Sequence, residues 1–263
     1  MEEGIRMSQK LRTVAIVQAR MGSSRLPGKV LQDIHGKPML AWVVERTRRA
    51  HLVDSVAVAT TSESSDDAIE AWCRESTTAC YRGSTFDVLD RFYQAARLFA
   101  ADVVVRVTAD CPVIDPDVID ETISAFNEHR VDFAANRLPP PWGRTYPIGL
   151  DTEVCRFSVL ERAWKEAQAA HEREHVMPYL YDVPGRFKVF QLNTEPDYGS
   201  LRWTVDTPED IEFIRRVFDF LPDMENFSWL DVLAVTRSHP ELNKINAEIR
   251  HKVFDDVDAR MKK

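Results

Sequence analysis

Thr13-Val-Ala-Ile-Val-Gln-Ala-Arg-Met-Gly-Ser-Ser-Arg-Leu-Pro-Gly-Lys29 passes from an apolar, β-branched run directly into a cationic loop. The run predicts a buried strand over residues 14–17. In the loop, Arg20, Arg25 and Lys29 interleave with Gly22, Ser23, Ser24 and Gly28. It therefore presents positive charge, hydroxyls and closely approachable backbone amides together, which suits a polyanion such as a triphosphate. A merely solvated turn does not need three cations bracketing two glycines. The spacing is not that of the Walker P-loop, since Val30 stands where the magnesium-binding Ser/Thr would be, and there is no G-x-G-x-x-G for a dinucleotide.

Working outward, apolar runs alternate with amphipathic stretches, which predicts an α/β domain with a mostly parallel sheet covered on both faces. Strands are expected at 14–17, 55–59, 103–107, 133–135, 189–192 and 201–205. Helices are expected at 38–50, 66–75, 86–100, 116–128, 159–168, 172–181 and 208–220, with further helical patterning after 221. The four prolines between Asn136 and Pro147 cannot join a central strand or helix interior. They mark an excursion that opens an acceptor-binding or dimerisation subregion over about 136–200. Residues 1–12 read as a tail and 13–263 as one domain.

A chain of 263 residues with 44% hydrophobic content can bury a real core, and no linker divides it. The net charge of -8 argues against nucleic-acid and membrane-surface partners, which select a broad basic patch. The polar N-terminus and the lack of a long apolar run predict a cytoplasmic protein. Cys73, Cys80, Cys111 and Cys155 show no C-x-x-C pairing and read as reduced thiols.

Two expected strands end in aspartates, Asp110 and Asp206. In a parallel α/β sheet ligands gather beyond the carboxyl ends of strands, so both would face the region of the cationic loop. Thr207-Pro208-Glu209-Asp210 supplies a cap, a proline at the first helical position and an acid three residues after the cap, which leaves Asp206 spare. Asp115-Pro116 does the same for Asp110. On residue type alone each aspartate fits either a magnesium ligand or a strand-end turn. Arg82, before a helix, could reach a nucleotide's phosphates or ribose with Asp87 holding it or the base, or be a surface residue; Thr60 and Thr61 are weaker candidates.

The loop at residues 18–31 resembles the signature of the sugar-activating cytidylyltransferases, the group of CMP-Kdo synthetases, CMP-sialic acid synthetases and relatives of the spore coat polysaccharide biosynthesis protein F, and is most similar to the last. The resemblance spans roughly residues 13–219. It implies a Rossmann-like nucleotidyltransferase sheet of GT-A type, CTP as substrate, and Mg²⁺ as cofactor. VRVTADCPVID (105–115) and RWTVDTPEDIEFIR (202–215) resemble the two metal-binding segments of that family, which puts the metal on Asp110 and Asp206 and the nucleotide beside Thr108. On this reading Arg20, Gly22, Ser23, Ser24, Arg25, Lys29 and Arg82 are expected to bind nucleotide, and Arg25, Lys29 and Asp110 to be catalytic.

His171-Glu-Arg-Glu-His175 matches the H-E-x-x-H zinc-protease motif, but Pro178 follows too soon for a substantial helix and no third ligand is placed in a recognisable pattern. HEREHVMPY (171–179) instead resembles a segment of the spore coat group, which implies that Glu172, Arg173, His175 and Tyr179 lie on the acceptor side, with Glu172 or Glu174 anchoring the cations by ion pairing. GLDTEV (149–154) resembles another segment of that group, which implies an acceptor pocket lined by Arg144, Asp151 and Glu153; the two acids fit equally well as polar residues of an alternating strand. The expected activity is transfer of CMP from CTP to an acidic sugar-type acceptor with release of pyrophosphate, by a homodimer with contacts near Pro139. The alternatives are a glycosyltransferase using a nucleotide sugar, for which the D-x-D at Asp115-Pro-Asp117 looks committed to a helix start, and a silent nucleotide-binding protein.

Overall fold

The computed structural model describes residues 10–139 and 143–249. The expected N-terminal tail up to residue 9, the end of the chain from residue 250 and the 140–142 part of the proline-rich excursion lie outside the described residues.

A seven-stranded sheet runs through the centre, built from β1 (Thr13–Gln18), β2 (Ser55–Thr61), β3 (Ala79–Gly83), β4 (Val103–Thr108), β5 (Phe133–Ala135), β6 (Glu153–Arg156) and β7 (Val189–Gln191). Their order is β7-β5-β6-β4-β1-β2-β3. All neighbours are parallel except β6, which runs antiparallel to both β4 and β5. The helices are α1 (Met39–Arg48), α2 (Asp67–Glu75), α3 (Val88–Leu98), α4 (Pro116–Glu128), α5 (Phe157–Glu166), α6 (Ala170–His175), α7 (Pro178–Tyr181), α8 (Pro208–Phe218) and α9 (Trp229–Ser238). No helix among the described residues is long and apolar enough to cross a membrane.

The near-continuous apolar strands have their explanation in burial on both faces. Ala15 and Val17 of β1 join one core with Leu40, Trp42, Ile119 and Ile214, while Val14 and Ile16 join a second with Leu89, Phe92 and Leu160. Each fully buried Val or Ile contributes about 1.5–3 kcal/mol against exposure. The two cores fix β1 from above and below, so the loop at its end starts from a rigid point.

Three expectations are corrected. Residues 201–205 form no strand: Arg202 makes an isolated bridge to Ile148, and the Val205 amide donates to Asp110 O at 2.8 Å. The backbone donors that would extend a sheet are spent on two loops instead. The single helix expected over 172–181 is two short ones, because Val176 sits at φ 73 between α6 and α7. β3 is a strand outside those expected, since Ala79–Gly83 is half-polar, whereas β6 agrees with the reading of Glu153 as a polar residue of an alternating strand.

Candidate active site

β1 and β4 are neighbours whose chains leave in opposite directions, toward α1 and β2 on one side and toward α4 and β5 on the other. Their ends, Gln18 and Thr108, are paired in register. Such a switch point leaves a crevice beyond the strand ends. Here it is a cavity of about 350 Å³.

The cationic loop forms one wall. Gly28 adopts φ 72, in the left-handed region that favours glycine, and starts a 3₁₀ turn at Lys29–Leu31 that points Lys29 inward. Met21 O accepts from both Ser23 N and Gly28 N at 2.9 Å, closing the loop on itself. Its base is pinned by Asp66, whose buried carboxylate accepts from Met21 N at 2.8 Å, Thr60 Oγ1 at 2.9 Å, Thr61 N at 3.0 Å and Thr61 Oγ1 at 2.6 Å. Burial opposes that charge, but the hydrogen bonds outweigh it and hold its pKa below the usual carboxylate value. The sequence signalled Asp66 only as a helix start, and Thr60 and Thr61 prove to be its donors.

Asp110 and Asp206, 96 positions apart by their numbers, meet at the floor. Lys29 Nζ donates to Asp110 Oδ2 at 2.9 Å, to Asp206 Oδ1 at 2.9 Å and to Val205 O at 2.7 Å. Arg25 Nη2 lies 3.0 Å from Asp206 Oδ2, and Arg202 Nη2 donates to the same oxygen at 2.9 Å. Burial works against the Lys29 ammonium, yet the two carboxylates outweigh it and raise its pKa. Burial likewise opposes the Asp206 carboxylate, and Lys29, Arg202 and Arg25 overcome it and drive its pKa far below the ordinary value. The two acids are brought together by the Asp110 backbone, which accepts from Val205 N at 2.8 Å and Thr204 Oγ1 at 3.1 Å. Thr207 caps α8 and leaves Asp206 facing the cavity, while Asp210, fully buried, takes a bidentate pair from Arg202 at 2.9 Å.

Of the anticipated site residues, Arg20, Ser23, Ser24, Arg25, Lys29, Thr108, Asp110, Asp151, Glu153, His175 and Asp206 line this one cavity. Gly22, Arg82, Arg144, Glu172, Arg173 and Tyr179 do not. Arg82 donates to Thr61 O and Glu63 O and pairs with Asp67 and Glu70, all on the surface beside α2. Arg144 forks onto Asp151, itself a lining residue, at 2.8 and 3.0 Å. Arg173 grips Asp87, the cap of α3, and Glu172 accepts from Gln168 N and Ala169 N at the start of α6. The Tyr179 hydroxyl donates to Glu166.

Three lining arginines carried no sequence signal. Arg106 pairs with Glu153 and donates twice to Gln18 Oε1, which aligns three polar groups across adjacent strands. Arg137 lies 3.8 Å from Asp151. Arg91 is fully buried, with Nε and Nη2 lacking a hydrogen-bond partner; burial, and then Arg20, lower its pKa to about 10. Mid-strand or mid-helix arginines read as surface charge in a sequence, and only tertiary placement turns them inward.

The zinc-protease pattern does not assemble. α6 ends at His175, which lines the cavity, while His171 pairs with Asp182 at 2.9 Å. Asp115 is likewise committed elsewhere, since it caps α4 and accepts from Trp229 N at 2.7 Å; burial raises its pKa.

A cationic loop facing two carboxylates at the switch point of a mostly parallel sheet is the arrangement of a nucleotide-handling site. The cytidylyltransferase family model matches residues 14–228, which contain every element of it. The chain belongs to the cytidylyltransferase family. It is therefore a nucleotidyltransferase. Among curated members it is 31% identical to the spore coat polysaccharide biosynthesis protein SpsF of Bacillus subtilis, over 86% of this chain and 94% of that one. It is 44% identical to a 3-deoxy-manno-octulosonate cytidylyltransferase of Anaeromyxobacter sp., over 77% of this chain and 96% of the other. Among solved structures, a cytidylyltransferase from Leptospira borgpetersenii superposes with a TM-score of 0.83 at 31% identity, covering 92% of this chain and all of that one. The match to the family model ends at residue 228, so α9 stands beyond it.

Proposed function

We propose that this cytidylyltransferase transfers CMP from CTP to an acidic, sugar-type acceptor and releases pyrophosphate, in the making of a surface-glycan precursor. The convergence of Lys29, Asp110 and Asp206 beneath the loop of Arg20, Ser23, Ser24 and Arg25 carries the reading. The names of its relatives, a cytidylyltransferase for an eight-carbon sugar acid and a spore coat polysaccharide protein, agree with it.

The floor suits Mg²⁺. Asp110 and Asp206 already converge on a single cation, the Lys29 ammonium, and both offer hard carboxylate oxygens. When bound, Mg²⁺ supplies charge neutralisation on the phosphates. Arg20 and Arg25 orient the triphosphate, the planar guanidinium of Arg25 suiting a two-point phosphate contact and Lys29 acting as a point charge on the departing pyrophosphate. An acceptor oxygen attacks the α-phosphorus in line, and the bond from that phosphorus to the bridging oxygen breaks. Positioning and electrostatics suffice, with no covalent nucleophile required. Asp151, Glu153 and His175, from the 136–200 subregion, line the same cavity and would meet the acceptor. The same reading makes the enzyme a cytoplasmic homodimer with contacts near Pro139.

The test is pyrophosphate release with CTP, Mg²⁺ and a panel of acidic sugars. Arg25→Ala is expected to lose roughly 10²–10³-fold in rate, as does loss of one preorganised charge-stabilising donor, and Asp110→Ala at least as much. Wild-type turnover in both folded variants would remove the assignment. Sugar transfer from a nucleotide sugar with no pyrophosphate would favour a glycosyltransferase.

A further inference from the structure

The carboxylates that suit a divalent ion are already neutralised by the protein's own cations. Lys29 spends its three ammonium protons on Asp110 Oδ2, Asp206 Oδ1 and Val205 O, at 2.9, 2.9 and 2.7 Å. Arg25 and Arg202 hold the second oxygen of Asp206 at 3.0 and 2.9 Å. Lys29 is 8% exposed, so in place its ammonium is satisfied by these three acceptors and scarcely by water. A bare divalent ion entering here would have to break charge-assisted hydrogen bonds and leave a buried ammonium beside a dication, two costs set against its own bonds to the carboxylates. A triphosphate removes both, because its oxygens can take over Lys29 and Arg25 and free the two acids.

We propose that Lys29 is a placeholder cation, which holds Asp110 and Asp206 together and bars the metal until a nucleotide's phosphates draw the ammonium away. Metal and nucleotide then bind with positive, reciprocal coupling, each raising affinity for the other. Lys29 thus serves twice, first as the stand-in for the metal and then as a ligand of the phosphates. The proposal rests on the nucleotidyl-transfer reading above, and it adds an order to it: the ion arrives with, or after, the nucleotide.

Mn²⁺ without nucleotide is the probe, with free ion read by electron paramagnetic resonance on the full chain. Lys29→Met is expected to bind Mn²⁺ at least tenfold more tightly than wild type. Adding Asp110→Asn to Lys29→Met should return binding to the wild-type level, which locates the gained ion on these acids. Lys29→Gln is the second variant should Lys29→Met fail to fold, as judged by circular-dichroism melting. Equal Mn²⁺ affinity in wild type and in a folded Lys29 variant would overturn the placeholder. If wild type alone already binds Mn²⁺ tightly and Asp110→Asn abolishes it, the metal site stands and the placeholder falls. If no protein binds Mn²⁺ and wild-type pyrophosphate release needs no metal, the metal reading and the placeholder fall together.

Discussion

Gly149→Ala should damage both stability and turnover, although Gly149 carries no chemistry. Its φ is +113, and a Cβ there would stand 2.8 Å from Thr204 N, 2.8 Å from Trp203 C and 3.0 Å from Trp203 O. Backbone strain at such a φ costs about 1–3 kcal/mol for a residue with a side chain. The clash adds to this, because the struck atoms are backbone and cannot rotate away. The peptide they belong to is held on both sides, by Trp203 N donating to Ile148 O at 2.7 Å and by Val205 N donating to Asp110 O at 2.8 Å. A combined destabilisation of about 2–4 kcal/mol follows, and at about 2–4 °C per kcal/mol for a large domain it lowers Tm by roughly 5–15 °C. Asp206 lies two residues beyond Thr204, so the shift also moves an acid of the site, and misplacements of about 1 Å can cost on the order of 10²-fold in rate. Gly36→Ala is the control: φ is +82 there, but no heavy atom lies within 4 Å of the added Cβ, so only strain of about 1–2 kcal/mol applies and turnover is untouched. Thermal melts with pyrophosphate-release rates, taken well below either transition, make the comparison. Gly149→Ala melting no lower than Gly36→Ala, with unaltered turnover, would refute the close-approach argument.

Two further outcomes are expected. The Asp206 pKa is depressed, so its stabilising contribution is complete above its unfolded value near 3.8 and is lost as pH falls through and below it. Between about pH 5 and pH 3 the Tm of Asp206→Asn should decline less than that of wild type; parallel acid limbs would show that the carboxylate is not held by its cations. Thr207 Oγ1 accepts from Asp210 N at 3.3 Å to cap α8, and Thr207→Ala should cost about 1 kcal/mol, a fall of about 2–4 °C in Tm. An unchanged melt would mean that Asp210, through its own contacts to Asp206 N and Thr207 N, carries the cap alone.

Much of this protein was legible in order along the chain. The run before Gln18, the helix start at Asp115-Pro116 and the capping box at Thr207 are local signals, because hydrophobic period, proline geometry and side-chain caps act over a few residues. The cationic loop was equally plain, since charge and glycine spacing lie within one turn of chain. What sequence could not give was which groups close the site. Residues 201–205 have the composition of a strand, yet the amides of Trp203 and Val205 are taken by Ile148 and Asp110, partners more than fifty positions away. Arg82, Arg144 and Arg173 have the right type for a binding site but are held outside the cavity by carboxylates and carbonyls that only folding brings near. Arg91, Arg106 and Arg137 look like surface charges and stand inside. Local chemistry specified the elements and the loop; the long-range competition of each cation among several anions, settled only when the sheet is assembled, decided which of them face the substrate.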